Sequence, residues 1–94
     1  MNYKLTHSNS QEGYGYTCIR LNYEGLNEFS KIYYHVEYYY CPIEDRPARI
    51  TITSSIVNPT DHNRVNVPLE NMPYSFIKEI VATIDKQLED LYNV

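Results

Sequence analysis

The chain has 94 residues, 43% of them hydrophobic and 21% charged, and it carries a net charge of −4 at pH 7. This length supports one hydrophobic core, so we expect a single domain over residues 1–94. The composition excludes a disordered tail. The acidic balance makes nucleic acid a less favoured partner, since binding to a phosphate backbone depends on clustered Lys and Arg.

The sequence favours a soluble protein of the cytoplasm. Its first residues lack the apolar stretch of a secretory signal, and no segment approaches the roughly 20 apolar residues of a membrane-spanning helix. The two cysteines, Cys18 and Cys41, are too few for a disulfide framework. We therefore expect reduced thiols and no association with a membrane.

Four segments have the composition of β-strands. Residues 3–7 predict a short edge strand, and Gly13-Tyr14-Gly15 predicts a turn or bulge before the next one. Residues 16–24 and 48–57 alternate apolar with polar side chains, which is typical of strands buried on one face. Residues 31–41 are rich in β-branched and aromatic side chains without Gly or Pro, as expected of a long central strand.

The last third of the chain predicts a strap and a helix. Val65, Val67 and Leu69 favour a short strand or an extended segment, in which Pro68 disfavours a central position. Pro73 suits the first turn of a helix, and apolar residues recur after it at helical spacing. This stripe consists of Phe76, Ile77, Ile80, Val81, Ile84, Leu88 and Leu91. The predicted fold is α+β: an antiparallel meander of about four strands with one C-terminal amphipathic helix packed on one face.

Matching apolar faces across neighbouring strands predicts their registers. In the hairpin between the last two predicted strands, Val36 lies opposite Ile52. In the hairpin before it, Cys18 lies opposite His35. A slip of two residues changes such pairs but preserves the faces, because side chains alternate along a strand.

Two faces result from this pairing. One carries the aliphatic residues with Tyr34, Tyr38 and Tyr40, and the helix covers it. The other is exposed and bears Tyr16, Cys18, Arg20, Tyr33, His35, Glu37, Tyr39, Arg49, Thr51 and Thr53. Tyr and Arg dominate many protein interfaces, although the same side chains also cover one another across strands through cation–π contacts. The residues predicted to bind a partner are Arg20, Tyr33, His35, Glu37, Tyr39 and Arg49.

The leading functional hypothesis is a non-enzymatic protein-binding module, an inhibitor or adaptor that binds a macromolecular partner through this face and adjoining loops. The acidic composition, rich in Asn, Ile and Tyr, further suggests a phage or mobile-element protein directed against host defence. One alternative is binding of a nucleotide or single-stranded nucleic acid on the same face, with Arg20, Arg49 or Arg64 as donors. Homodimerisation through an edge strand or this face stays open.

A second alternative is a cysteine-dependent hydrolase. Cys18, His35 and Glu37 share the exposed face, and a thiol beside an imidazole and a carboxylate can act as a nucleophile. A flat sheet face offers no obvious cleft or oxyanion hole, however, so we expect no enzymatic activity and assign no catalytic residues. The histidines and cysteines lack the short paired spacings of zinc sites, so we predict neither a metal nor a cofactor.

Overall fold

Five antiparallel strands and one helix make up the computed structural model, which describes residues 3–13, 15–26, 31–41, 48–58, 60–69 and 71–92. The elements are β1 (Tyr3–Gly13), β2 (Tyr16–Leu26), β3 (Lys31–Tyr40), β4 (Arg49–Val57), β5 (Arg64–Val67) and α1 (Tyr74–Tyr92). The strands lie in one sheet in the order β1-β2-β3-β4-β5. The predicted α+β meander is confirmed, and a fifth strand stands where the sequence favours a strand or strap.

Strand β1 extends well beyond the predicted segment 3–7. Its second half, residues 8–12, is polar and exposed, so no apolar alternation marks it as a strand. Backbone pairing with β2 nevertheless continues to the pair Gly13–Tyr16, with one register shift at Thr6. The length of β1 is therefore set by hydrogen bonding to its neighbour and not by burial of side chains.

Glycines shape the turn between β1 and β2. Gly13 pairs with Tyr16, which leaves a two-residue connection, the commonest length for a hairpin. Gly15 has φ 80°, a left-handed conformation that glycine adopts without strain. A Cβ on Gly13 would lie 1.8 Å from a ring carbon of Tyr16, so the ring can occupy this position only because Gly13 has no side chain. The predicted turn is present, although Tyr14 lies outside the described residues.

The observed strand pairing tests the registers predicted for the two central hairpins. Between β3 and β4, Val36 lies opposite Ile52, as predicted. Between β2 and β3 the prediction is wrong by four residues, since Cys18 lies opposite Tyr39 and not opposite His35. A shift by an even number of residues leaves every side chain on its face, which is why the predicted faces survive the wrong register.

The helix begins where the sequence predicts it. The carbonyl of Pro73 accepts hydrogen bonds from the N–H groups of Phe76 (3.0 Å) and Ile77 (3.2 Å), and α1 starts at Tyr74. A proline at this boundary costs no intrahelical hydrogen bond, because its nitrogen would have had no partner in the first turn.

An aromatic cluster holds the start of α1 on the sheet. Phe76 stacks on Tyr3 with ring centroids 3.8 Å apart and an interplanar angle of 3°. It also meets Tyr23 and Tyr34 edge to face, each at 5.2 Å. The rest of the buried core is aliphatic: Ile19, Leu21, Val36, Ile80 and Ile84. Most of these residues come from β1, β2 and β3, so α1 lies over that part of the sheet.

Only part of the apolar stripe of α1 is buried against the sheet. Ile80 is 1% exposed, whereas Ile77 and Val81 are 39% and 42% exposed. The sequence wrongly places these two residues, and also Tyr40 and Ile50, in the core. The reason is geometric: a helix about 10 Å across cannot cover five strands spaced about 4.8 Å apart.

The neighbours Ile80 and Val81 provide a matched test of this packing. We expect Ile80→Ala to lower the free energy of unfolding by about 2–5 kcal/mol, because it removes a buried side chain from a packed core. Val81→Ala, at an exposed position of the same helix, should cost less than about 1 kcal/mol. Urea denaturation followed by circular dichroism measures both values. Equal losses for the two variants would contradict the position of α1.

Candidate functional site

The outer face, defined as the sheet surface opposite α1, carries all six residues predicted to bind a partner. Within the described residues, the only helix packs against the inner face. The registers align the outer side chains in rows across the sheet: Cys18, Tyr39 and Arg49; Arg20, Glu37 and Thr51; Asn22, His35 and Thr53; Glu24, Tyr33, Ser55 and Asn66. Tyr33 and Tyr39 are six residues apart on β3, so the face is about 20 Å long.

A polar network occupies the centre of the outer face. Glu37 Oε2 lies 3.5 Å from Arg20 Nε and 3.6 Å from His35 Nε2. On the other side of the imidazole, His35 Nδ1 donates a hydrogen bond to Asn22 Oδ1 at 2.7 Å. Exposed ion pairs of this kind contribute less than about 1 kcal/mol to stability. Their main effect is to orient four side chains relative to one another.

One end of the outer face is built around Tyr39. The guanidinium carbon of Arg49 lies 5.9 Å from the centroid of the Tyr39 ring. The ring of Tyr16 stacks against the same residue at 5.8 Å with an interplanar angle of 22°. Tyr16 reaches this position from the β1–β2 turn, over the open space that Gly13 provides. Two predicted site residues, Tyr39 and Arg49, are therefore neighbours, at the outer limit of a cation–π contact.

The other end is built around Tyr33 and a residue that the predicted site omits. The guanidinium carbon of Arg64 lies 4.3 Å from the centroid of the Tyr33 ring, a closer cation–π contact than the one at Tyr39. Arg64 belongs to β5, at the edge of the sheet. The sequence signal for its position was the alternation of Arg64 and Asn66 with two valines, which predicts both polar side chains on one face.

A hollow of about 400 Å³ opens on the outer face between these two residues and the polar network. Its walls include Asn22, Glu24, Tyr33, His35, Arg64 and Asn66. Strand β4 contributes only Thr53 and Ser55 to these walls, and both side chains are short. The hollow therefore exists because small residues of β4 lie between larger residues of the strands on either side.

Cys18 and His35 do not form the pair that the hydrolase alternative assumes. The observed register places them four residues apart along the sheet, a separation of about 13 Å. Cys18 is 3% exposed, and burial raises the pKa of its thiol, while the nearby Arg20 lowers it and Glu37 raises it. The low exposure of the thiol and the net rise in its pKa both oppose formation of a nucleophilic thiolate near neutral pH.

Within the described ranges, no three His, Cys, Asp or Glu side chains are grouped as they would be to hold a metal ion. Cys18 and Cys41 are both free and buried. No helix among the described residues is long and apolar enough to cross a membrane.

A second exposed surface lies on the helix side of the sheet. Side chains on one flank of α1, including Glu79, Thr83 and Lys86, line a groove with Leu5 of β1. The opposite flank must therefore point towards β4 and β5. It carries the exposed apolar residues Tyr74, Ile77 and Val81, and the inner face of the nearby strands carries the exposed residues Ile50 and Val65. We call these five residues the apolar shelf.

Comparisons with known proteins do not assign this chain to a family. No family model matches it, and the comparisons found no match among curated proteins or solved structures.

The reactivity of Cys18 tests the hydrolase alternative directly. In a Cys41→Ser background at pH 7.5, iodoacetamide should label Cys18 more slowly than it labels N-acetylcysteine, because the thiol is buried and its pKa is raised. The rate should rise as the pH increases through the thiol pKa, and it should approach that of the free thiol in urea. Mass spectrometry of timed samples measures the rate. Labelling faster than that of N-acetylcysteine would restore the nucleophile hypothesis.

Proposed function

We propose that this chain is a non-enzymatic protein-binding module, an inhibitor or adaptor whose partner docks on the outer face of the sheet. The residues that make the contact are Arg20, Tyr33, His35, Glu37, Tyr39 and Arg49. The observation that carries the proposal is a sheet face that no helix of the described residues covers, with a tyrosine beside an arginine at each end. Tyr and Arg are enriched among the residues that contribute most to binding energy.

The fixed arrangement of these side chains supports the proposal further. Immobilising a flexible side chain at an interface costs about 0.5–1.5 kcal/mol. On the outer face, Arg49 and Arg64 already lie on tyrosine rings, and Arg20 already pairs with Glu37. A partner would therefore meet side chains that have lost part of their freedom before binding, which favours affinity.

A narrower form of the proposal concerns origin and compartment. Free cysteines suit the reducing cytoplasm, and we place the protein there. We further propose that it is encoded by a phage or mobile element and acts against a host defence enzyme. The support for this origin is compositional: a small acidic chain rich in Asn, Ile and Tyr.

The experiment begins with affinity capture from the native cell or its infected host, followed by mass spectrometry and purification of the captured protein. Tyr33→Ala combined with Tyr39→Ala should then weaken binding of the purified partner by at least about 100-fold, since hot-spot residues each contribute about 2 kcal/mol or more. Isothermal titration calorimetry measures the affinity. Unchanged circular dichroism and melting temperature show that the variant is folded.

The apolar shelf supplies the matched control. Ile77→Ser combined with Val81→Ser removes exposed apolar side chains from the other candidate surface, so we expect binding of the partner to change by less than about threefold. If the shelf variant loses binding while the tyrosine variant retains it, the outer face is not the interface. Size-exclusion chromatography with light scattering on the free protein separates self-association from binding of a different protein.

A further inference from the structure

The hollow beside Tyr33 has the features of a binding site for a small charged group. Its volume of about 400 Å³ lies within the range of small-ligand sites. Its position is fixed by the β4–β5 turn, in which Asn58 N donates to Asn63 O at 2.8 Å and His62 N donates to Asn58 O at 2.9 Å. This turn places Arg64 at the first position of β5, from which its side chain reaches back to β3.

Arg64 has hydrogen-bonding capacity beyond its contact with Tyr33. A guanidinium carries five N–H donors, more than one cation–π contact can occupy. The ion pairs of the described chain join Arg20, Lys31 and His35 to two glutamates, and Arg64 takes part in none of them. Arg64 is thus a fixed cation without an anionic partner among the described residues.

The charges around the hollow specify a ligand with a single negative charge. Glu24 is balanced by Lys31 at 3.0 Å, and Glu37 by Arg20 at 3.5 Å. Among the described residues, Arg64 therefore adds one unmatched positive charge next to neutral donors, the amide of Asn66 and the hydroxyls of Thr53 and Ser55. A dianionic phosphate needs a second cation in the hollow, and the net charge of −4 opposes it. A carboxylate matches the single charge and the planar fork of a guanidinium.

We propose that the hollow binds one carboxylate, the side chain of a glutamate or aspartate of the protein partner, through the guanidinium of Arg64. The methylene groups of that side chain lie against the ring of Tyr33, and the Asn66 amide donates to the second carboxylate oxygen. The source of the carboxylate rests on the proposed protein-binding function. The site itself does not, since it is defined by residues of this chain alone.

A small probe tests the site without the partner. The probe is N-acetylglutamate N-methylamide, and the corresponding glutamine compound, which has the same shape and no charge, is its control. Titration into ¹⁵N-labelled protein should give saturable shifts of the Arg64 Nε–Hε signal and of the Ser55 and Asn66 backbone signals. The glutamine compound should leave these signals unchanged. Equal shifts with both compounds, or no shifts with either, would overturn the proposal.

Matched arginine variants show which residue holds the charge. Arg64→Gln should weaken probe binding at least about tenfold, which corresponds to about 1.4 kcal/mol. Arg49→Gln removes the equivalent cation at the other end of the face and should change binding less than about twofold, because Arg49 does not line the hollow. Unaltered binding to Arg64→Gln would assign the probe to another site. Tighter binding of a nucleoside monophosphate than of the carboxylate would replace the proposed ligand with a phosphate.

The site and the proposed function can fail separately. If the probe binds through Arg64 but the Tyr33/Tyr39 double variant still binds the purified partner, the partner docks elsewhere and the site takes its carboxylate from another source. If the double variant loses the partner but the probe does not bind, the outer face is the interface and the carboxylate site is wrong. Loss of partner affinity in Arg64→Gln, with the Ile77→Ser/Val81→Ser variant as control, joins the two proposals.

Discussion

The stack of Phe76 on Tyr3 determines where the only helix among the described residues lies. Phe76 is in the first turn of α1, and its ring also contacts Tyr23 and Tyr34, so one end of the helix is fixed to the first three strands. A single helix covers a width of about 10 Å, and five strands extend over about 19 Å. With α1 lying mainly over β1 to β3, Ile52 of β4 still packs against the core, but Ile50 of β4 and Val65 of β5 stay exposed on the inner face. The apolar shelf follows from this arrangement.

The outer face follows from the same constraint and from strand alternation. With α1 on the inner face, every second residue of each strand is left on the other side of the sheet. On β3 these residues are Tyr33, His35, Glu37 and Tyr39. The tyrosines at either end of this series contact arginines from β4 and β5, while the residues between them form the polar network. The periodicity of one central strand therefore determines the order of the surface: aromatic, polar, aromatic.

Alternation also explains what the sequence predicts correctly and what it does not. The faces of β2, β3 and β4 were predictable because burial repeats with the period of the strand. The register between β2 and β3 was not, because a slip of four residues keeps Ile19 and Leu21 against apolar partners, Tyr38 and Val36 in the observed pairing. Similarly, the polar second half of β1 contains no periodic signal, since it is exposed on both faces.

The prediction of the candidate site also depended on two kinds of information, the face on which a side chain lies and the register between strands. All six predicted residues share the outer face, as alternation implies. Their neighbours depend on register, so the sequence did not reveal that Cys18 lies beside Tyr39, or that Arg64 lies over Tyr33. The predicted burial of Ile77 and Val81 was wrong for a further reason. Helical periodicity identifies an apolar stripe, but the width of the stripe that becomes buried depends on how much sheet lies beneath it.

The separation of Cys18 from His35 on the outer face argues against the cysteine hydrolase alternative. Such a hydrolase needs its nucleophile, base and polarising group within hydrogen-bonding distance of one reacting atom. Here the thiol of Cys18 is buried in one row of the outer face. His35 lies two rows away from Cys18, where it donates a hydrogen bond to Asn22 in its own row. Recognition requires something different: side chains held in a fixed arrangement over an extended area, with donors left for a partner. Arg64 combines both properties, because its guanidinium carbon lies 4.3 Å from the centroid of the Tyr33 ring, and its five N–H donors exceed what one such contact can occupy.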